Sequence, residues 1–378
     1  MLILLVILPL AFIIQNALMA GSNITLKQLS SILGVSISTI SKALNDSHEI
    51  SDVTKKRIVQ MAKLHNYQPN KIAVGLKSGK TNTIAVVIPS VQNSFFARAL
   101  YGIESLISET NFNIIVCLTK ESHAKEVETF NMLSNGVVDG FIVAVSEETQ
   151  NLQNYDHFNN VLDNGKSVVM FDRVIDSVNC GKVTTNDFTA LSEATQTLIS
   201  SERKNIVLLT TIYKLNVGKQ RAQGYIKAMN AAGFQPVILE SDDQQAGSVM
   251  VDYLKSNPVD AIIALDTDAS LSALKAVKVS GLQIPTDVAV IGYVSERMAH
   301  NLTPELTTIN QHSYTIGNAA AQMITEALRT KSKEIKQIVV SSTLSVRYSS
   351  LWVLTSIAPT IFSYHHFYYL CISEYAKA

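Results

Sequence analysis

Residues 24–58, ITLKQLSSILGVSISTISKALNDSHEISDVTKKRI, decide how this chain of 378 residues is read. Leu26, Leu29, Ile32 and Leu33 recur at helical spacing on one face of a first helix. Gly34, in GVS, supplies a tight turn. Ser36 is a natural N-cap for a second helix over ISTISKALN, with Ile40 and Leu44 turned inward. Ser51 caps a third over DVTKKRIVQMAKLH, with Val53, Ile58, Met61 and Ala62 inward. Two readings follow. One is a small helical bundle with a solvated basic face. The other is a helix-turn-helix, whose second helix carries short polar residues outward and a lysine at its far end, as a major-groove reader requires.

Charge favours the second. From Asn23 to Lys80 there are nine Lys/Arg (Lys27, Lys42, Lys55, Lys56, Arg57, Lys63, Lys71, Lys77, Lys80) against three acids, Asp46, Glu49 and Asp52. That surplus of six sits in a chain whose formal net charge is zero, so the remainder carries six excess acids. Such asymmetry fits a basic, polyanion-facing module joined to an acidic body.

Upstream, residues 1–22 are apolar and uncharged, beginning MLILLVILPLAFII. The positive n-region of an export signal is missing, and Ala17-Leu18-Met19-Ala20 has the wrong spacing for a cleavage site. Gln15-Asn16 cut the apolar run short of the ~20 residues a membrane span needs. The first charges follow from Lys27, so by the positive-inside rule even an inserted segment leaves the rest in the cytoplasm. Met19 stands just before the helical region, and residues 1–18 are expected to be an upstream extension. Three cysteines, Cys117, Cys180 and Cys371, are widely spaced without CxxC, which fits a reducing compartment.

Downstream, YQPNKIAVGLKSGKTN (residues 67–82) is loosened by Pro69 and by Ser78-Gly79, and its NKIAVGLK is too short to hold a helix alone in water. From Thr83 the pattern changes. TIAVVIP, NIIVCL, VDGFIVAV and SVVMFD are apolar runs of the kind found in buried parallel strands, separated by helical stretches. The alternation resumes with NIVLLT, VDAIIALD and VAVIGY, and TTINQ and GNAAAQMITEAL add a late strand and helix. Two sets of βαβ units imply two doubly wound domains, whose ligands sit beyond the carboxyl ends of the strands. No GxGxxG or P-loop follows a strand, and no nucleophile–base or paired-carboxylate constellation can be placed at strand ends, so an enzyme is not expected. Residues 351–378 are aromatic, broken by Pro359, and expected to be extraneous. Their His365-His366 pair lacks carboxylate or cysteine neighbours, so no metal and no cofactor are expected.

The GVS-x-x-T-x-S-+-x-L-N core and the NY-x-PN-x-x-A-x-x-L segment resemble the DNA-binding headpiece and hinge of LacI/GalR-family transcriptional regulators. The resemblance continues through NSFFARALYGIE, VDGFIV, FDR, RAQGYIKAM, DVAVIGY and PELTTINQ to VRYSS. It implies a fold of α plus α/β class. A helix-turn-helix headpiece (residues 23–68) and hinge helix (69–82) precede a periplasmic-binding-protein-like body (83–350) of two discontinuous subdomains, crossed three times by the chain. Residues 1–22 and 351–378 lie outside it.

The same resemblance assigns roles. Ile37 and Ser38 open the recognition helix toward base edges, Ile37 by apolar contact, as with a thymine methyl, and Ser38 by hydrogen bonding. Lys42 reaches guanine O6/N7 or a phosphate. Many relatives have arginine there, and lysine is the less selective of the two. Thr25, Ser36, Thr39, Asn45 and Ser51 match phosphate-contacting positions. In the hinge, Asn70, Ala73 and Leu76 match, with Leu76 as an apolar wedge in the minor groove. Losing Lys77 is expected to weaken binding to all sequences. Val74-Gly75 depart from the family, and Gly75 leaves the hinge more dependent on DNA for its order.

In the body, Phe95 and Phe96 match a ligand-contacting aromatic position, although Phe95 equally suits subdomain core. Arg221 matches a ligand-clamping arginine, and Asp172, Asn186, Asp266 and Gln311 match polar pocket positions. Two departures, Val294-Ser295 after VIGY and Leu265 before Asp266, remove polar grip. They point to a more apolar or carboxylated effector than a hexose, or to loss of the effector response. The implied protein is a cytoplasmic, homodimeric, sequence-specific repressor of double-stranded DNA operators. A sugar, sugar acid or related metabolite controls it, and a membrane role is not expected despite the apolar tails. An exported solute-binding protein would share the body but has no use for residues 23–80.

Overall fold

The computed structural model describes residues 24–67, 80–330 and 334–351. The chain divides into two compact units between Thr81 and Asn82. The expected hinge residues Asn70, Ala73, Leu76 and Lys77 lie outside the described residues, as do residues 1–23 and 352–378.

The described residues of the first unit form three helices, α1 (Leu26–Leu33), α2 (Ile37–Leu44) and α3 (Asp52–Leu64). Each begins where a side-chain oxygen satisfies an orphan helix N–H. Thr25 Oγ1 accepts from the Gln28 amide at 3.3 Å while Gln28 Oε1 accepts from the Thr25 amide at 2.9 Å, a reciprocal capping box. Ser36 accepts from Thr39 N at 3.1 Å and Ser51 from Thr54 N at 3.4 Å. Gly34 ends α1 at φ +66°, where a side chain would be strained. Leu29, Leu33, Ile40, Ala43, Ile58 and Ala62 form the core, with Leu26, Leu44 and Met61 packed around it. Ile32 and Val53, inward by helical periodicity, are 48% and 80% exposed. A three-helix core this small is filled by about two side chains per helix, and the outer edge of each apolar stripe stays in solvent.

The second unit begins with β1 (Thr83–Ile88), α4 (Ser94–Ile107), β2 (Asn113–Leu118), α5 (His123–Ser134), β3 (Gly140–Val143), α6 (Glu147–Leu152), α7 (Asp156–Asp163), β4 (Ser167–Phe171) and β5 (Gly181–Thr185). It continues with α8 (Asp187–Ser200), β6 (Ile206–Thr210), α9 (Asn216–Ala231), β7 (Val237–Glu240), α10 (Ala246–Ser256), β8 (Ala261–Ala264), α11 (Thr267–Val279), β9 (Ala289–Gly292), α12 (Glu296–Asn301) and β10 (Thr307–Asn310). The last described elements are α13 (Ser313–Thr330), β11 (Gln337–Val340) and β12 (Thr343–Ser345).

The strands form two six-stranded sheets, β11-β5-β4-β3-β1-β2 and β12-β10-β9-β8-β6-β7. Among the described residues every pairing is parallel except β10 with β12. Helices cover both faces of each, so the central strands are apolar throughout, as in β3 and β8, where all four residues are buried. The two sheets define two lobes. The chain passes between them three times, after β5, after β10 and after β11. Asn186 at the first crossing accepts through Oδ1 from Ser342 N at 2.7 Å at the third. His312 Nε2 at the second lies 3.0 Å from Thr343 Oγ1. In the first lobe α4 and α13 approach until backbones touch. A Cβ on Gly102 would lie 2.1 Å from the Tyr314 carbonyl oxygen, and one on Gly317 1.9 Å from that of Ala99. That packing fixes the start of α4, which carries Phe95 and Phe96.

Candidate effector cleft and nucleic-acid interface

A cleft of about 100 Å³ lies where the carboxyl ends of both sheets meet. Asn93, Ser94, Phe95 and Phe96 come from the turn into α4, and Asp172 and Arg173 directly follow β4. The other lobe adds Ile212, Val217 and Arg221, Asp266 and Thr267 after β8, Tyr293 after β9, and Gln311 after β10. Of the residues expected at the effector, Phe95, Phe96, Asp172, Arg221, Asp266 and Gln311 line this space. Asn186 does not, because its carboxamide is used at the lobe crossings.

Arg221 is buried and already engaged. Its Nε donates to Asp187 Oδ1 at 2.7 Å, Nη1 donates to the Leu265 carbonyl at 2.7 Å, and the guanidinium lies 4.2 Å from the centre of the Tyr293 ring. Burial alone would lower its pKa, but Asp187, Tyr293 and Asp172 outweigh that and hold the proton firmly. Thr185 Oγ1 donates to the other Asp187 oxygen at 2.8 Å. Leu265 therefore serves through its backbone, while its side chain is core. Arg173 stacks 5.2 Å from the Phe96 ring centre and donates to both Glu121 oxygens at 2.7 and 2.8 Å. Asp266 is likewise committed, accepting from Ala269 N at 2.8 Å as the cap of α11 and from Thr211 N at 2.9 Å. Ser295, one of the two departures, caps α12 through Met298 N at 3.3 Å.

Three buried polar atoms of the lining have no partner among the described residues: Asp172 Oδ1, Tyr293 Oη and Gln311 Nε2. Burial pushes the Asp172 carboxyl up to about 6. Arg221 and Arg173 oppose that rise, and Asp187 and Glu121 reinforce it. Asp172 also sits at φ +57°. Burial pushes the Tyr293 phenol far up, so it stays a neutral hydroxyl. A site lined by orphaned polar atoms is incomplete without a ligand or ordered water.

Two hydrogen bonds join the lobes beside the cleft. Asn216 N, at the start of α9, donates to Gln150 Oε1 at 2.9 Å, and Asn216 Nδ2 donates to the Val174 carbonyl at 3.2 Å. One such bond contributes about 1 kcal/mol, so Gln150→Ala is expected to weaken effector binding by roughly fivefold, read by calorimetry, with little change in melting temperature. An unchanged affinity would exclude this contact from lobe closure. Arg173, Tyr293 and this latch are not among the residues that sequence alone singles out. The first two were findable, since each directly follows a strand on the ligand side of the sheet.

In the first unit, Ile37, Ser38, Lys42 and Asn45 are exposed on α2 and at its end. Thr25, Ser36 and Ser51 are exposed caps, and Thr39 is half-buried with its hydroxyl 2.9 Å from Ser36 Oγ. Lys42 Nζ is paired with Glu49, and Lys55 holds Asp46 at 2.7 Å, which lowers the Asp46 carboxyl below its ordinary range. Among the described residues no helix is long and apolar enough to cross a membrane, and no cluster of metal-ligating side chains occurs.

A two-lobed body with a polar cleft at its strand ends, in one chain with a helix-turn-helix, defines a ligand-binding regulator of transcription. Residues 25–70 match the bacterial regulatory proteins of the lacI family. Residues 81–348 match the periplasmic binding proteins and sugar-binding domain of the same family. The chain belongs to the LacI family of DNA-binding transcriptional regulators. It is 28% identical to the HTH-type transcriptional regulator RegA of Clostridium saccharobutylicum, over 86% of this chain and 99% of that one. It is 26% identical to the HTH-type transcriptional repressor PurR of Vibrio campbellii, over 85% and 97%. Its fold is that of the lac repressor dimer bound to operator (TM-score 0.77, 19% identity, 88% and 100% covered) and of a CelR–cellobiose complex (0.63, 23%, 86% and 99%). These relatives are regulators, not enzymes.

Proposed function

We propose that the protein is a cytoplasmic homodimeric repressor that reads a near-palindromic operator with α2 and releases it in response to a neutral, hydroxyl-rich small molecule held in the cleft. The observation that carries the effector class is the set of unpartnered atoms. Asp172 Oδ1 needs a donor, Tyr293 can give or accept, and Gln311 Nε2 needs an acceptor, which together match neighbouring hydroxyl groups. The charge balance supports the same class. Both guanidinium groups are matched by Asp187 and Glu121, leaving Asp172 and Asp266 in excess. A carboxylated effector, attractive from the sequence, would meet that excess with no uncommitted cation among the described residues of the lining. Phe95 and Phe96, perpendicular at 5.4 Å, offer an apolar wall for a ring face.

On the DNA side, Ile37, Ser38 and Lys42 face bases. Thr25, Ser36, Thr39, Asn45 and Ser51 set register on phosphates, and Asn70, Ala73, Leu76 and Lys77 act in the hinge. An effector that binds one degree of lobe closure better than another shifts the dimer between two hinge spacings. The test is a gel shift on the gene's own upstream region, with neutral sugars and their acids added in turn. Salt-sensitive binding is expected, relieved by a neutral sugar that also raises the melting temperature. A ligand at 100 times its dissociation constant contributes about 2.7 kcal/mol. A response confined to sugar acids would reject the effector class.

A further inference from the structure

The recognition helix carries one charged side chain, and it is not free. Lys42 is the only charged residue of ISTISKAL, and its ammonium is paired with Glu49, seven residues on in the loop before α3. All three acids of the basic segment serve just two lysines. Asp46 and Asp52 flank Lys55, at 2.7 and 3.9 Å, and Glu49 takes Lys42. The Lys55 pairs are architectural. Lys55 is 17% exposed, also reaches the Asp46 carbonyl at 3.3 Å, and braces a turn in which Asp46 sits at φ +54°. The Lys42–Glu49 pair is different. Both side chains are about half exposed, and Glu49's carboxylate has no other hydrogen-bond partner among the described residues. Exposed ion pairs contribute little to stability, so the fold does not need it.

We propose that Glu49 is a specificity-determining residue of the DNA interface. It cancels the charge of Lys42 on non-specific DNA and orients its ammonium for a base on the operator. Out of operator register Lys42 pairs with phosphates, and taking one leaves a carboxylate beside a polyanion. The pair therefore adds no net charge to the sequence-independent attraction, which scales with the number of phosphates neutralised. An operator guanine offers O6 and N7 side by side. An ammonium has three N–H donors, so Glu49 can keep one while the base accepts the others. The restraint gives lysine part of the directionality that arginine's planar fork carries by itself. This rests on the reading that α2 meets base edges.

The test compares the full-length wild type, Glu49→Gln, Lys42→Ala and the double variant. Each binds a selected operator and a random duplex across a potassium chloride series, followed by fluorescence anisotropy. Glu49→Gln is expected to bind random duplex about tenfold more tightly, with a salt slope steeper by about one, and to lower the operator-to-random ratio about tenfold. In the Lys42→Ala background the same change should move both by less than about threefold. A Glu49→Gln protein with an unchanged or higher ratio overturns the proposal, as does an equal effect in the Lys42→Ala background. Lys42→Ala leaving the ratio intact would instead overturn the reading of α2 itself, and the proposal with it.

Discussion

Arg221→Ala is expected to lose the effector response and to destabilise the body by about 3–5 kcal/mol, because truncating one partner of a buried ion pair leaves the other charged and unpaired. Asp187 and Arg221 are each 4% exposed, and the substitution strands Asp187 Oδ1 and the Leu265 carbonyl together. It also removes the cation that opposes the rise of the Asp172 carboxyl, so that group resists ionisation further. Urea denaturation with calorimetry of effector binding separates the two consequences. Because a folding failure would hide the second, the informative companion is Arg221→Met with Asp187→Asn. Neutralising both partners avoids the stranded charge and should recover most of the stability while the effector response stays absent. Recovery of both would show that Arg221 is scaffold alone. Equal destabilisation in the single and double variants would show that the pair is not coupled.

How far these features were legible in advance follows from how local each is. The headpiece was readable because its evidence lies within a few residues. Thr25, Ser36 and Ser51 each stand just ahead of a helix, and Gly34 ends α1 in the left-handed conformation. Ile32 and Val53 read as inward from sequence because periodicity reports a stripe and not its width. Only packing shows where a small core stops. Strands β1 to β4, β6, β8 and β9 are readable as apolar runs, the edge strand β2 among them. β5, β7, β11 and β12 are not, since none of Gly181–Thr185, Val237–Glu240, Gln337–Val340 and Thr343–Ser345 holds more than three consecutive apolar residues. In the cleft, residue types matched family positions, yet their use did not follow from type. Arg221, a ligand clamp by resemblance, is engaged by Asp187, whereas Asp172 Oδ1 has no partner among the described residues. Asn186 has a pocket residue's chemistry and a crossing's position. Whether a buried polar atom is satisfied depends on partners 34 or 156 residues away, as for Arg221–Asp187 and Asn186–Ser342, and no short window contains both.

Asp172→Asn should stabilise the ligand-free protein while blinding it to effector. Burial raises this carboxyl from its ordinary 3.8 to about 6, against the opposing pull of Arg221 and Arg173. Below about pH 4 the group is protonated in the folded and unfolded chains alike and costs nothing. Between about pH 4 and 6 the folded chain keeps a proton that the unfolded chain has released, so stability falls as pH rises. Above that window both are ionised and the loss is complete, about 3 kcal/mol for a shift of about two units. Asparagine has the same shape without the charge, and it tolerates the left-handed backbone at φ +57°. The variant should therefore gain several degrees of melting temperature at pH 7.5 and nothing at pH 4, so its advantage grows across pH 4–6. The same substitution removes the unpartnered carboxylate that is to accept an effector hydroxyl. Charge-assisted hydrogen bonds contribute about 1.5–3 kcal/mol, so effector affinity should drop by roughly ten- to a hundredfold while operator binding without effector is retained. A destabilised variant would show that Asp172 is held ionised by Arg221 as a structural partner. A stabilised variant with full effector affinity would place the ligand elsewhere in the cleft. The predicted combination, more stable and unresponsive, is what a group kept uncomfortable for the sake of a ligand must give.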